Sequence, residues 1–262
     1  MNLRQDFARA AATYDAAAAL ADETGRRMLE RLQWTKLDPA VVLDVGCATG
    51  AGIEFLMHRY PHALPLAIDH ALPMLQAARA RHIGWLRRRR PLAVQADARA
   101  LPLASASVEL VWSNQMLHWL DDPAPAFAEI QRVLSPGGLF SFALFGAGTL
   151  ASLRAAGAAP RAFHDIHDIG DLLLRCGFAA PVLDIEPIAL SYRSARDFLR
   201  DQRHLGVRDA LLGTLPWRQW RQVFARWPRV DGRIQAQFEI VFGHAWKPSR
   251  PAATVLHFLP RP

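Results

Sequence analysis

Val42-Leu43-Asp44-Val45-Gly46-Cys47-Ala48-Thr49-Gly50 runs from a short apolar segment into a turn of small residues, followed by a helical pattern. Such residues let a backbone approach a ligand closely, and the free N–H groups at a helix start suit an anionic group. Two acids end later apolar runs: Asp69 in LPLAID and Asp97 in PLAVQAD. Asp69 is placed to accept from ribose hydroxyls. Asp97 is placed to accept from an adenine amino group, with Ala98 offering its backbone N–H. Either acid alone is explained as well by a helix N-cap. A glycine turn and two acids at three successive strand ends point together to a nucleoside. The dinucleotide fingerprint G-x-G-x-x-G is not met, because its register from Gly46 gives Gly46, Ala48 and Ala51. The expected ligand is therefore a nucleoside without a pyrophosphate.

The elements that must hold these residues follow from the apolar periodicity. VVLDV, LPLAID, PLAVQAD, VELVWSN and GLFSFALF read as strands, and GAGIEFLMHRY, HALPMLQAARARH and PAPAFAEIQRVL read as helices between them. Strand and helix in alternation predict parallel strands with right-handed crossovers in an open α/β sheet. Ser135-Pro136-Gly137-Gly138 reads as a stop before the fifth strand. An opening helix is predicted around Phe7 to Leu32, a helix over Asp168–Gly177, and later strands at VLDIEPIALSY and QFEIVFGHAW. The organisation expected is an N-terminal helical cap (1–39), a ligand-binding core (40–192), a helical lid insertion (193–233), and a last strand with a tail (234–262). Val255-Leu256-His257-Phe258 is a candidate edge strand.

At 262 residues, 51% hydrophobic and 21% charged, the chain has the balance of a globular domain, which excludes a disordered or collagen-like protein. Cys47 and Cys176 are too few for a disulfide framework, and no apolar run approaches a membrane span, so a cytoplasmic protein is expected. The net charge is +7, and Arg193 to Arg233 holds ten arginines against four aspartates. That concentration suits an acidic partner. Arg87-Arg88-Arg89-Arg90 reads as a solvated loop. Trp217, Trp220, Phe224 and Trp227 recur at helical spacing and read as the buried stripe of the lid. His164, Asp165, His167 and Asp168 fall at a predicted helix start, where an aspartate caps. No metal site is expected there.

The ordered stretches VLDVGCATG, LAIDHALPML, QADARALPLASASVELVWSN and EIQRVLSPGGLFSFALFG resemble class I S-adenosylmethionine-dependent methyltransferases. FARAAATYD, SNQMLHWLDDPAPAFAEIQRVLSPGG, FHDIHDIGDLLLRCGF and FEIVFGHAWKP extend the likeness over nearly the whole chain. They are similar to the malonyl-acyl-carrier-protein O-methyltransferase family of biotin synthesis. The resemblance implies a Rossmann-like sheet, mostly parallel with an antiparallel last strand, helices on both faces, and S-adenosylmethionine as cofactor. It implies that Gly46 and Gly50 line the methionine end, with Asp44 and Cys47 of the same turn also binding the cofactor. Asp69 would hold the ribose, Asp97 and Ala98 the adenine, and Asn114 would face the sulfonium. Ala48 stands where many relatives carry glycine.

The implied reaction converts the free carboxylate of a malonyl thioester to a methyl ester, on an acidic acyl carrier protein docking at Arg200, Arg203 and Arg208. A carboxylate with a pKa near 4 is already ionised at neutral pH and needs no general base. Tyr14 and His118 are the expected catalytic residues: Tyr14 as a closing or hydrogen-bonding group, His118 as a polar donor where many relatives carry glutamine. Arg9, Arg154 and Arg193 are the first arginines to consider for the substrate carboxylate. Competing readings are a related methyltransferase acting on protein arginine in complex I assembly or on a small molecule, and a basic nucleic-acid-binding protein. The last has no RNA-binding motif to support it.

Overall fold

The computed structural model describes residues 2–81 and 90–249. Strands β1 (Val41–Val45), β2 (Leu64–Asp69), β3 (Leu92–Gln95), β4 (Val108–Asn114) and β5 (Leu134–Phe145) run parallel. Strands β6 (Ala179–Tyr192), β7 (Arg229–Val230) and β8 (Arg233–Trp246) complete one sheet in the order β3-β2-β1-β4-β5-β8-β6, with β7 paired to β8. β8 is antiparallel to both β5 and β6. The strand order reverses at β1, whose neighbours are β2 and β4. The carboxyl ends of strands at such a switch point form a crevice for ligands.

Helices α1 (Leu3–Ala10), α2 (Ala19–Leu32), α3 (Ala51–Arg59), α4 (Leu72–Ala80), α5 (Ala124–Val133), α6 (Ala151–Ala155) and α7 (Ile166–Arg175) surround the sheet. Both faces of β1 are buried: Val42 joins Met28, Leu32, Ile53 and Trp112 on one side. Leu43 and Val45 join Phe127 and Ile130 of α5 and Leu173 of α7 on the other. This burial on both faces is why the central strands read as continuous apolar runs. Asp165 caps α7, accepting from the His167 N–H at 2.9 Å.

Between β6 and β8 the chain leaves the sheet to form α8 (Ala195–His204), α9 (Arg208–Leu212) and α10 (Trp217–Arg226). Trp220 and Trp227 are buried as the stripe predicts, and the Trp227 indole donates to Ser152 Oγ at 3.0 Å. Trp217, at the start of the stripe, is 55% exposed.

The opening segment differs from its prediction. The expected single helix is broken between α1 and α2 by a turn carrying Thr13, Tyr14 and Asp15. Helix propensity favours continuation through AAATYDAAAA, but tertiary contacts capture the turn. Thr13 Oγ1 donates to the His204 carbonyl of α8 at 3.0 Å, and Asp15 accepts from Thr49 Oγ1 and from Arg81. The Ser-Pro-Gly-Gly stop also differs, because it lies within β5. Val108 pairs with Leu134 but Leu110 with Leu139, so the extra residues bulge, with Gly137 at φ +80°. Arg87, Arg88 and Arg89 and the Val255–Phe258 segment lie outside the described residues.

Candidate functional site

The turn after β1 is held from both sides. Gly46 N–H and Cys47 N–H donate to the Ile68 carbonyl at 2.7 and 3.0 Å, tying the turn to β2. The Asp69 carboxylate accepts from Ala48 N–H at 3.0 Å through one oxygen and from Ala71 N–H at 2.8 Å through the other. Gly46 sits at φ +77°, and a β-carbon there would stand 2.3 Å from Met116 Cγ. Ala48 also occupies the left-handed region, at φ +45°. For a non-glycine residue this conformation costs about 1 kcal/mol or more. Three hydrogen bonds across neighbouring residues hold it there.

A cleft of about 550 Å³ opens above this turn, a size suited to a nucleoside. Gly46, Ala48, Asp69, Asp97, Ala98 and Asn114 line it, as does Tyr14. Helix α1 forms the opposite wall through Leu3, Arg4 and Phe7. A smaller pocket beside it shares Tyr14, Gly46, Ala48 and Asn114 and adds Asp22, Asp44 and Cys47. The expected donor-binding residues therefore converge, except Gly50. Gly50, at φ +92°, starts α3, and a β-carbon on it would lie 2.9 Å from Ala78 Cβ. It is needed for close helix packing and lines neither space.

The electrostatics are one-sided. Burial pushes the Asp44 carboxyl up to about 8, helped by the nearby Asp69 charge and opposed by the Ile53 N–H. Asp69 is raised chiefly by burial, against the hydrogen bonds from Ala71 and Ala48. The Tyr14 hydroxyl is raised by burial first, then by Asp69, Asp22, Asp15 and Asp44, and remains protonated. Asp15, Asp22 and Asp44 line the smaller pocket and Asp69 the cleft, so acids surround the Tyr14 hydroxyl, where a cation would be favoured. Arg81 stands at the rim and joins the opening turn to the glycine turn. Its guanidinium donates to Thr49 O at 3.1 Å, to Glu54 at 3.2 Å and to Asp15 at 3.0 Å. Asp97, by contrast, is held low by Arg99, which chelates it.

Asn114 has a fixed orientation. Its side-chain oxygen accepts from Thr24 Oγ1 and its amide donates to Ala21 O, both at 2.8 Å. Gln115 follows at φ +54° and donates to Thr24 at 3.0 Å, bringing a second amide to the cleft that sequence reasoning overlooked.

His118 is the main departure from expectation. It is 5% exposed and lines none of the spaces described here. Its ring stacks on Phe145 at 4.0 Å, its Nδ1 accepts from Phe145 N–H at 3.2 Å, and burial keeps it neutral. The residue that reaches the cleft is its neighbour Trp119, whose ring lies edge-on to Phe7. Its Nε2–H is left without a partner among the described residues, yet His118 lines none of these spaces, so the structure does not bring the expected polar donor to the cleft. The three arginines expected near the substrate are also elsewhere. Arg9 pairs with Asp6, while Arg154 and Arg193 are exposed away from the cleft.

The sheet order, the turn after β1 and the acids at successive strand ends define a class I methyltransferase. The family model for the methyltransferase domain matches residues 43–142. Phosphoethanolamine N-methyltransferase 2 of Haemonchus contortus, solved with S-adenosyl-L-methionine, superposes with a TM-score of 0.58 at 16% identity, over 95% of this chain and 60% of that one. The malonyl-[acyl-carrier protein] O-methyltransferases of Methylovorus sp. (strain MP688) and Laribacter hongkongensis are 45% and 44% identical to the chain. The first match covers 96% of this chain and 90% of the relative, the second 94% and 89%. The chain belongs to the malonyl-[acyl-carrier protein] O-methyltransferase family.

Proposed function

We propose that the protein transfers a methyl group from S-adenosylmethionine to the free carboxylate of a malonyl thioester on an acyl carrier protein. The product, a malonyl methyl ester, is under this reading the primer for biotin synthesis. The observation that carries the proposal is the set of acids around Tyr14, with Asp15, Asp22 and Asp44 lining the smaller pocket and Asp69 the cleft, beside a turn too tight for a β-carbon at Gly46. Such a donor set suits a ligand with a cationic sulfur and an ammonium group. S-adenosylmethionine bound there supplies an electrophilic methyl group. Asp69 would hold its ribose, Asp97 and Ala98 its adenine, and Gly46, Cys47 and Asp44 its methionine end, with Asn114 toward the sulfur. Tyr14, protonated at every physiological pH, donates a hydrogen bond and closes the methionine end from above. Phe7 and Trp119 exclude water. What the chain contributes to rate is alignment in a dry cleft, since the acceptor carboxylate arrives ionised.

The insertion 193–233 serves in this reading as lid and docking face. Arg203 and Arg208 flank a groove of about 270 Å³ floored by Leu199, Leu212 and the exposed Trp217. Arg200 pairs with Asp197 at 3.0 Å and Arg208 with Asp209 at 2.7 Å, so these two are shared with local acids. Replacing Arg200, Arg203 and Arg208 with glutamate should raise KM for the carrier-protein substrate at least about tenfold, as loss of complementary charge at a docking face does. Donor affinity should stay within twofold. Equal loss of both would remove this face from the proposal. A cytoplasmic setting accords with two free cysteines, and no helix among the described residues is long and apolar enough to cross a membrane.

Asp44 gives the site a pH signature. Its folded pKa of about 8 lies above its unfolded value, so its stabilisation is full below about pH 4 and is lost as pH rises through 8. A cationic donor favours the charged carboxylate, so uptake at pH 7 should release a proton and affinity should rise from pH 6 to 8. Calorimetry in buffers of different ionisation heat measures that proton. A flat affinity over this range would contradict the assignment.

The activity itself is tested by incubating the protein with donor and malonyl-carrier protein and measuring mass. The expected result is a gain of one methyl group on the malonyl thioester. No gain where calorimetry shows donor uptake overturns the proposal.

A further inference from the structure

A compartment of about 50 Å³ adjoins the cleft, sharing Phe7, Tyr14, Gln115 and Trp119 with it. Its remaining walls are mostly apolar, including Leu190, Leu205, Val207 and Phe238. Gln202 of α8 lies among them. It is 2% exposed, and its side-chain amide makes no hydrogen bond with any described residue. A helix that needed only packing at this position would carry leucine or methionine, because a buried amide without a partner is unfavourable. An unpartnered amide lining a small space beside the methyl-transfer end points to a polar ligand group.

We propose that Gln202 receives the carboxylate of the short acyl substrate, with Tyr14 as a second donor, and so sets the protein's preference for a free acid. This deepens the functional reading above and rests on it. Three features decide in favour of an acid held by neutral donors. The compartment has room for a group of a few heavy atoms and none for a ring. Gln115 spends one of its two amide N–H groups on Thr24, whereas Gln202 and Tyr14 bring donors to the compartment from two different segments. No arginine among the described residues lines the compartment. Neutral donors hold a carboxylate by hydrogen bonds alone, without the full opposite charge and bidentate fork of a guanidinium, so they orient the oxygen while leaving it nucleophilic.

Gln202 also explains why the insertion belongs to the site. The same helix holds the opening turn through its His204 carbonyl, so the segment that carries Tyr14 and the segment that carries Gln202 are bonded to each other.

The test uses the full chain and two substitutions, with malonyl-carrier protein and its methyl ester as probes. Gln202→Glu keeps the shape and places a like charge against the substrate acid. Its affinity for malonyl-carrier protein should fall at least about 30-fold, while affinity for the uncharged ester product changes less than threefold and donor affinity is unchanged. Gln202→Met removes the unpartnered amide from an apolar wall. It should raise the melting temperature of the free protein while lowering kcat/KM at least about tenfold. Equal loss of substrate and product binding in Gln202→Glu, or a kcat/KM within threefold of the unsubstituted protein in Gln202→Met, overturns the proposal. Absence of turnover in the unsubstituted protein overturns instead the functional reading on which it rests.

Discussion

Asp69→Asn should bind S-adenosylmethionine at least about 100-fold more weakly, a loss of about 2.7 kcal/mol. The carboxylate does two jobs. Both of its oxygens accept backbone N–H bonds, from Ala48 and Ala71, and its remaining lone pairs face the cleft where a ribose would lie. An asparagine has one oxygen only, so its NH2 must confront one of those two N–H donors. The turn then loses a bond at the residue already held at φ +45°, and the cleft loses an acceptor. Calorimetric titration measures the affinity, and circular dichroism checks that the sheet persists. An unchanged affinity would remove Asp69 from the donor site.

Gly46→Ala is expected to cost stability as well as activity. The left-handed backbone alone costs about 1–2 kcal/mol, and forcing a methyl group against Met116 adds about 1–3 more. The contact involves Met116 Cβ at 2.5 Å as well as Cγ at 2.3 Å, so rotating the end of the side chain does not relieve it. Either the turn shifts or Met116 is driven further into the cleft that it lines. At roughly 2–4 °C per kcal/mol for a chain of this size, the melting temperature should fall by about 5–15 °C. Adding Met116→Ala should recover part of that fall. A melting temperature within about 2 °C of the parent would mean that the turn is looser than its contacts indicate.

How far the fold could be read from residues depended on where each determinant lies. β1, β2 and β4 were legible because each is a mainly apolar run ending at, or just before, a small or polar residue (Gly46, Asp69 and Asn114), a pattern local to the segment. Gly46, Asp69 and Asp97 were legible for the same reason, since strand ends in an open α/β sheet carry ligands whatever the ligand is. The break between α1 and α2 was not. Its residues favour helix, and what stops them is Thr49, Arg81 and the His204 carbonyl, all remote in sequence. His118, expected at the cleft, does not line it, for a geometric reason. After β4 the chain turns at Gln115 through a left-handed residue, and the following 3-10 turn sends Trp119 to the cleft and its neighbour into the core. Gln202 carried no signal, standing among arginines on a helix that reads as solvated. Only its neighbours in space reveal it.

Tyr192 and Ile234 face each other across β6 and β8, so the whole of 193–233 departs from and returns to a single rung of the sheet. A segment with its ends clamped side by side behaves as a cartridge: its length and content can change while the ladder beneath is undisturbed. On the proposed reading, which gives acceptor choice to α8 to α10 and the adenosine end to β1 to β4, the first can therefore drift or be engineered separately from the second. A chimera carrying another relative's cartridge on this ladder would inherit that relative's taste in acids and keep its own grip on the nucleoside.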